Sequence, residues 1–284
     1  MQALESDAIS RCAAVESTVN YLDDMDELPV FYADKVRDNN LKLSTHRITV
    51  RDARPISEGL SLDREGFRLV DCPTATRNFR DADEVQRVYR PETERLIADL
   101  TGARKVLATG VVLRWGERSA ASGSLLNSRP ARFVHVDYSR KSFDEFANMH
   151  LINAGIEAVD PWLKGRYVAF NIWRVLSPPP QDVPLGICAA SSTSPADVVT
   201  GLAVIDPPNA PELRFESSLF RFNPEHLWFY FSNMQPTEAL VFKAFDSERH
   251  RVQGCPHSAF NDPTCPEGVT PRASVEIRAY AYFG

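Results

Sequence analysis

The second half of the chain alternates between apolar and polar positions over short stretches, which is typical of half-buried β-strands. Several of these stretches are separated by breaks rich in proline, a residue that ends strands. The predicted strands cover residues 167–176, 185–190, 199–206, 212–222, 227–233, 238–245 and 273–283. So many short strands favour a β-sandwich or barrel.

The first half of the chain combines further strands with helices. The predicted strands are residues 41–50, 104–114 and 132–137. Apolar residues at helical spacing predict a helix over 82–103, broken at Pro91 because proline removes a backbone donor. A second helix should begin at Ser142, where Glu145 completes a capping box. We therefore expect a mainly β protein with flanking helices.

The length of 284 residues and a hydrophobic fraction of 43% are compatible with one large domain that buries a substantial core. We expect a single domain over 1–284. Residues 1–40 are polar and predict an irregular lead-in, whereas the strand-rich part over about 104–284 should form the core.

Charge and cysteine content exclude several classes of partner. The formal net charge of -6 argues against nucleic acid, because phosphate binding needs a basic surface. No stretch approaches the roughly 20 apolar residues that span a bilayer, and the N-terminus lacks the pattern of a signal peptide. The five cysteines are scattered without a CxxC pair, which favours free thiols in a reducing cytoplasm.

A candidate metal motif lies on the strand predicted over 132–137. His135 and Asp137 are two residues apart, so their side chains should project from the same face of the strand. An imidazole and a carboxylate in this arrangement can occupy adjacent positions around a divalent ion. The pair alone is a weak signal, and taken by itself it favours a strand histidine that bonds a backbone carbonyl.

Two features near the C-terminus strengthen the metal interpretation. His257 lies at the start of a late strand and offers a third ligand. Arg272 and Ser274 share one face of the last predicted strand, and a guanidinium beside a hydroxyl suits a carboxylate. Chance agreement of the whole ordered set is much less probable than that of any one part.

The order HxD, distant His, RxS resembles the iron(II)/2-oxoglutarate-dependent dioxygenases of the double-stranded β-helix, or jelly-roll, fold. More narrowly, the chain resembles the fungal and bacterial hydroxylase/desaturase family that includes a gibberellin desaturase and a cephamycin methoxylation protein. The matching segments are residues 20–22, 52–55, 135–139, 171–174, 226–230, 239–247, 256–260 and 271–278. The chain departs from the family pattern at Val175, where proline is frequent, and at Ala273, where glutamate is frequent.

This resemblance implies a jelly-roll core over about 104–284 and a set of site residues. His135, Asp137 and His257 would bind Fe(II), and Arg272 with Ser274 would bind the distal carboxylate of 2-oxoglutarate. The enzyme would use O2 and 2-oxoglutarate to oxidise an unactivated carbon of a small carboxylate-bearing metabolite in secondary metabolism. Hydroxylation, desaturation and oxidative cyclisation all remain open.

Three further residues have alternative roles. Arg278 shares the face of Ser274 and either replaces Arg272 in binding 2-oxoglutarate or pairs with Glu276. Arg174, on an apolar strand, needs an anionic partner, which is either a substrate carboxylate or an acidic side chain. Tyr230 belongs to an aromatic stripe that lines the substrate cavity or packs in the core.

Two other functions fit parts of the pattern. A zinc hydrolase can use two histidines and a carboxylate as ligands. In such an enzyme Arg272 and Ser274 would have no evident function. A non-catalytic jelly-roll binding protein would be expected to have lost ligands, and none is lost here.

Overall fold

Two β-sheets pack against each other in the computed structural model, which describes residues 9–33, 39–116, 128–206 and 211–284. The strands are β1 Ala14–Leu22, β2 Val30–Tyr32, β3 Leu43–Asp52, β4 Phe67–Asp71, β5 Lys105–Trp115, β6 His135–Val136, β7 Tyr167–Val175, β8 Leu185–Cys188, β9 Val198–Ile205, β10 Leu213–Phe220, β11 Trp228–Tyr230, β12 Glu238–Asp246, β13 His257–Ala259 and β14 Ala273–Tyr282. Within the described ranges, one sheet has the order β1-β3-β11-β8-β13-β6-β10-β9-β2, and the other β4-β12-β7-β14-β5.

The helices are α1 Arg90–Thr101, α2 Arg140–Asn153 and α3 Asp160–Lys164, with a helical turn at Ala82–Glu84 and a π turn at Val85–Tyr89 before α1. Short 3-10 turns occur at Arg54–Gly59, Ala190–Ser192 and Pro195–Asp197. Among the residues that the structure describes, no helix is long and apolar enough to cross a bilayer.

The prediction of an irregular lead-in over residues 1–40 was wrong for β1. This strand pairs with β3 along its whole length, from Ala14 opposite Arg51 to Leu22 opposite Leu43. Buried apolar residues of β1, such as Val15 and Val19, alternate with exposed polar residues, so the segment as a whole reads as polar. Since β1, β3 and β4 all belong to the two sheets, the core begins well before residue 104. The single-domain expectation stays a prediction.

Capping explains where the helices begin. Asp81 accepts backbone hydrogen bonds at the start of the first helical stretch, and Gly102, with φ of 71°, ends α1. The helical run over 82–101 is divided next to Pro91: the π turn Val85–Tyr89 ends and α1 begins one residue before it. This agrees with the predicted split, because proline removes a backbone donor from the helical ladder. The start predicted at Ser142 was wrong: Ser139 caps α2, and the Ser142 side chain closes the capping box instead of Glu145.

β7 is buried on both faces and so separates two environments. Trp173 packs with residues of both sheets in the interior core. Ile172 packs on the opposite face with residues of α1 and β14, including Ile97. The parity of a residue on β7 therefore decides whether its side chain reaches the space between the sheets.

A buried ionic cluster lies at the end of β12. Lys243 donates to Asp246 at 2.8 Å and to Asp63 at 2.9 Å, and Arg166 donates to Asp246 at 2.7 Å. The side chains of Lys243 and Asp246 are 0% exposed. Burial disfavours the charged form of Asp246, but the bonds from Arg166 and Lys243 outweigh it and hold its pKa below the usual range.

Removing the charge of Asp246 should destabilise the fold. We expect Asp246→Asn to lower the free energy of unfolding at pH 7 by about 3–5 kcal/mol, because Lys243 loses a buried partner. Since a lowered carboxyl pKa stabilises the fold only above the pKa of the unfolded state, the deficit should shrink below about pH 4. Urea denaturation measures both effects, with the exposed Asp160→Asn as control. Equal stability of Asp246→Asn and wild type at pH 7 would contradict the assignment.

Candidate metal centre

Two histidines and an aspartate converge inside the larger sheet. His135 on β6 lies directly opposite His257 on β13, and their ring centroids are 4.4 Å apart. Asp137 follows β6, and its Oδ1 lies 3.9 Å from His135 Nε2. One ligand atom from each residue lies within 4.8 Å of the others, and all three side chains are buried. This spacing accommodates a single metal ion at the centre of the group.

Backbone hydrogen bonds orient both imidazoles. His135 Nδ1 donates to the Phe133 carbonyl at 2.9 Å, and His257 Nδ1 donates to the Cys255 carbonyl at 3.1 Å. A donating Nδ1 carries the proton, so Nε2 keeps a free lone pair for a metal. Burial lowers the pKa of His257 and lowers that of His135 to about 3, so both rings are neutral at pH 7.

The Asp137 carboxylate is held from the opposite sheet. Its Oδ2 accepts from Asn171 Nδ2 at 2.6 Å and from Arg278 Nε at 2.9 Å, and its Oδ1 accepts from Arg278 Nη2 at 2.9 Å. Burial disfavours ionisation, but the charge of Arg278, supported by the two histidines and Asn171, holds the pKa well below its usual range. Asp137 is therefore a carboxylate at pH 7, as a metal ligand needs to be.

Arg278 contacts two carboxyl groups, only one of which was predicted. It donates to Glu276 at 3.1 Å, as one alternative expected, but its main partner is Asp137. The sequence interpretation missed Asn171, although an amide on the otherwise apolar β7 was a usable signal, because a buried amide needs partners.

Arg272 and Ser274 are buried with unused hydrogen-bonding capacity. Each is 1% exposed. Arg272 Nη1 donates to the Val183 carbonyl at 2.7 Å, and its guanidinium lies over the Trp173 ring at 5.6 Å. Among the described residues, neither Arg272 Nε nor Ser274 Oγ has a hydrogen-bond partner. Burial, and then the charge of Arg114, lower the pKa of Arg272 to about 9. A carboxylate would satisfy both atoms and the charge.

A cavity of about 320 Å³ opens beside His135, Asp137 and Arg278. Its apolar lining includes Phe31, Phe133, Ile205 and Phe215, and its basic lining includes Arg114, Arg129 and Arg132. Such a mixture of apolar walls and a few polar groups is typical of small-molecule sites.

The structure does not bring Arg174 to this cavity. Its position on β7 points it to the outer face of the sheet, where it donates to the carbonyls of Pro236 at 2.8 Å and Cys72 at 2.6 Å. It lies over the Tyr89 ring at 6.0 Å. These two carbonyls engage Nη1 and Nη2, whereas Nε has no hydrogen-bond partner among the described residues. Arg174 forms no ion pair with a described acidic side chain, so backbone carbonyls take the place of that predicted partner.

Tyr230 also lies away from the metal ligands. It packs edge-to-face against Phe260 in a core cluster and borders a different cavity, together with Asp262. Two other members of its stripe, His226 and Trp228, both bond the hydroxyl of Tyr21. The stripe packs in the core, and Tyr230 does not belong to the described lining of the cavity beside His135 and Asp137.

The proposed ligand set makes a direct prediction for metal binding. Anaerobic titration with Co²⁺, which accepts nitrogen and oxygen ligands, should give one site per chain in the wild type. We expect His135→Ala or His257→Ala to reduce binding below detection, whereas the exposed His250→Ala should bind like the wild type. Undiminished binding by folded His257→Ala would contradict the ligand assignment.

Comparisons with known proteins find relatives that are named as hydroxylases/desaturases and as a dioxygenase. The chain is 29% identical over 289 residues to "Hydroxylase/desaturase efuI" of Hormonema carpetanum, covering 95% of both chains. It is 27% identical over 250 residues to "Fe(II)/2-oxoglutarate-dependent dioxygenase nvfI" of Aspergillus novofumigatus, covering 86% of both.

A solved structure, the "iron and alpha-ketoglutarate-dependent endoperoxidase NvfI with different conformation", superposes with a TM-score of 0.82 at 23% identity, covering 95% of this chain and 98% of that one. The jelly-roll fold and the resemblance to hydroxylase/desaturase proteins are thus confirmed. A family model described as an oxidoreductase/YMDC permease-like domain matches residues 19–282, and the chain belongs to that family.

Proposed function

We propose that this protein is an iron(II)/2-oxoglutarate-dependent oxygenase of secondary metabolism that oxidises an unactivated carbon of a small carboxylate-bearing metabolite. The observation that carries the proposal is the buried convergence of His135, Asp137 and His257. The orphaned polar atoms of Arg272 and Ser274, at the start of β14 in the opposite sheet, add the second requirement, a place for a carboxylate. The names of similar proteins support the same cofactors.

The three ligand atoms would be His135 Nε2, His257 Nε2 and Asp137 Oδ1. Two histidines and one carboxylate leave open positions for a cofactor and oxygen. When bound, iron(II) and 2-oxoglutarate supply the oxygen activation that breaks an unactivated C–H bond. The chain contributes ligand orientation through the backbone bonds to both Nδ1 atoms, and it excludes water by burying all three side chains.

Arg272 and Ser274 would bind the distal carboxylate of 2-oxoglutarate. The Val183 carbonyl accepts from Nη1 of the Arg272 guanidinium, and the Nε–H of Arg272 and the hydroxyl of Ser274 stay available. Arg272 forms no ion pair with any described acidic side chain, and a buried cation without one is costly. Arg278 already donates from Nε to Asp137 and from Nη2 to Glu276. Arg272 is therefore the better candidate for binding 2-oxoglutarate.

The cavity supports a substrate that is apolar with one acidic group. Its phenylalanine and isoleucine walls suit a carbon skeleton, and the volume of about 320 Å³ admits a small metabolite. Asp137 is the acidic member of the described lining, and Arg278 already neutralises it. Arg114 lines this cavity, half-buried, and Arg174 does not, so we assign Arg114 to the substrate carboxylate in place of Arg174. One nitrogen of Arg114 donates to the Arg129 carbonyl at 2.8 Å.

Cofactor use should separate Arg272 from Arg278. With saturating Fe²⁺, we expect Arg272→Ala to raise the 2-oxoglutarate concentration for half-maximal succinate formation by about tenfold to a hundredfold, because a charged hydrogen bond is lost. The Fe²⁺ requirement should not change. If Arg278→Ala raises the 2-oxoglutarate requirement and Arg272→Ala does not, the wrong arginine has been assigned. Succinate formation with Zn²⁺ in place of Fe²⁺ would contradict the oxygenase proposal.

Substrate acidity can be tested with matched compounds. A screen of small metabolite acids against their amides should give substrate-dependent succinate release with acids only. For an accepted acid, Arg114→Gln should lower kcat/KM by about tenfold or more, because the carboxylate loses a buried charged partner. Exposed Arg47→Gln is the control. Mass spectrometry of the product distinguishes a gained oxygen atom from lost hydrogens. Equal use of acid and amide by the wild type would contradict the assignment.

A further inference from the structure

We infer that Arg278 is a positioning residue that clamps Asp137 so that one carboxylate oxygen, Oδ1, is left for the metal. The inference rests on the proposed metal site and adds to it the part of the chain that sets how the carboxylate binds. Asn171 completes the clamp from the neighbouring strand β7, where it lies opposite Arg278.

Counting lone pairs identifies the free oxygen. A carboxylate oxygen has two acceptor positions in its plane. Oδ2 uses both, one for Asn171 Nδ2 at 2.6 Å and one for Arg278 Nε at 2.9 Å. Oδ1 uses one, for Arg278 Nη2 at 2.9 Å, and it is the oxygen that lies 3.9 Å from His135 Nε2. Asp137 is therefore prepared to bind through Oδ1 alone.

The shape of the guanidinium makes the clamp specific. Its two parallel N–H bonds fix the plane of the carboxylate as well as its position, which a lysine ammonium cannot do. Arg278 is itself held by Glu276 at 3.1 Å and by the Tyr138 ring at 5.9 Å. The donor set is therefore rigid before any ion binds.

The clamp also connects the two sheets. Asp137 follows β6 of the larger sheet, whereas Asn171 and Arg278 lie on adjacent strands of the smaller one. The ion pair with Asp137 at 2.9 Å compensates the positive charge of Arg278 beside the metal ligands, and the Glu276 carboxyl group lies 3.1 Å from the same guanidinium.

The test is anaerobic titration with Co²⁺ alone, without 2-oxoglutarate or oxygen, together with the visible ligand-field spectrum of bound Co²⁺. We expect Arg278→Lys to weaken binding by about tenfold to a hundredfold, as for other residues that hold a metal ligand. Its spectrum should shift because Asp137 is free to bind through both oxygens. Arg129→Lys, which alters an exposed arginine of the same cavity, should keep the affinity and spectrum of the wild type.

A second variant covers the case in which Arg278→Lys does not fold, as judged by circular dichroism. Asn171→Ala removes one of three bonds to Asp137 and should weaken Co²⁺ binding several-fold with a smaller spectral shift. Wild-type affinity and spectrum in the folded variants would overturn the clamp and leave the proposed function intact. Failure of the wild type to bind Co²⁺ or Fe²⁺ would overturn both.

Discussion

The site depends on a single buried carboxylate that is shared by the two sheets. Asp137 extends from the larger sheet, yet its three donor bonds come from Asn171 and Arg278 on the smaller one. A buried charge without such partners would cost several kcal/mol or take up a proton. Because Asp137 is held charged and oriented, the neutral rings of His135 and His257 face an anion, and a cation completes the group.

Local and long-range features of the sequence differ in how far they predict this site. The shared direction of His135 and Asp137 follows from the two-residue period of a strand and was predictable. Periodicity does not reveal that His257 pairs opposite His135, because the pairing depends on the order of strands in the sheet. The ordered set of motifs, through its resemblance to a known family, supplied that contact.

Two buried arginines show the limit of sequence reasoning more sharply. Arg174 and Arg272 are each 1% exposed, and each was expected to need an anion. Arg174 points to the outer face of β7, where two backbone carbonyls accept from its Nη1 and Nη2. Arg272 donates to one carbonyl, through Nη1. In both residues Nε has no hydrogen-bond partner among the described residues. Residue type, burial and the unpaired Nε are the same in both cases, so the face of the sheet and the number of carbonyls within reach are what separate the two arginines.

The charges around the site connect the metal, the cofactor and the substrate. Arg278 pairs with Asp137, and burial together with the charge of Asp137 raises the pKa of Glu276. The two charges of an iron(II) ion and those of the 2-oxoglutarate dianion would cancel. Arg114 lines the cavity and forms no ion pair with a described acidic side chain, so its positive charge has no such counter-charge. A monocarboxylate substrate would neutralise that charge in a site where unpaired charge is costly, and an uncharged substrate would leave it unpaired.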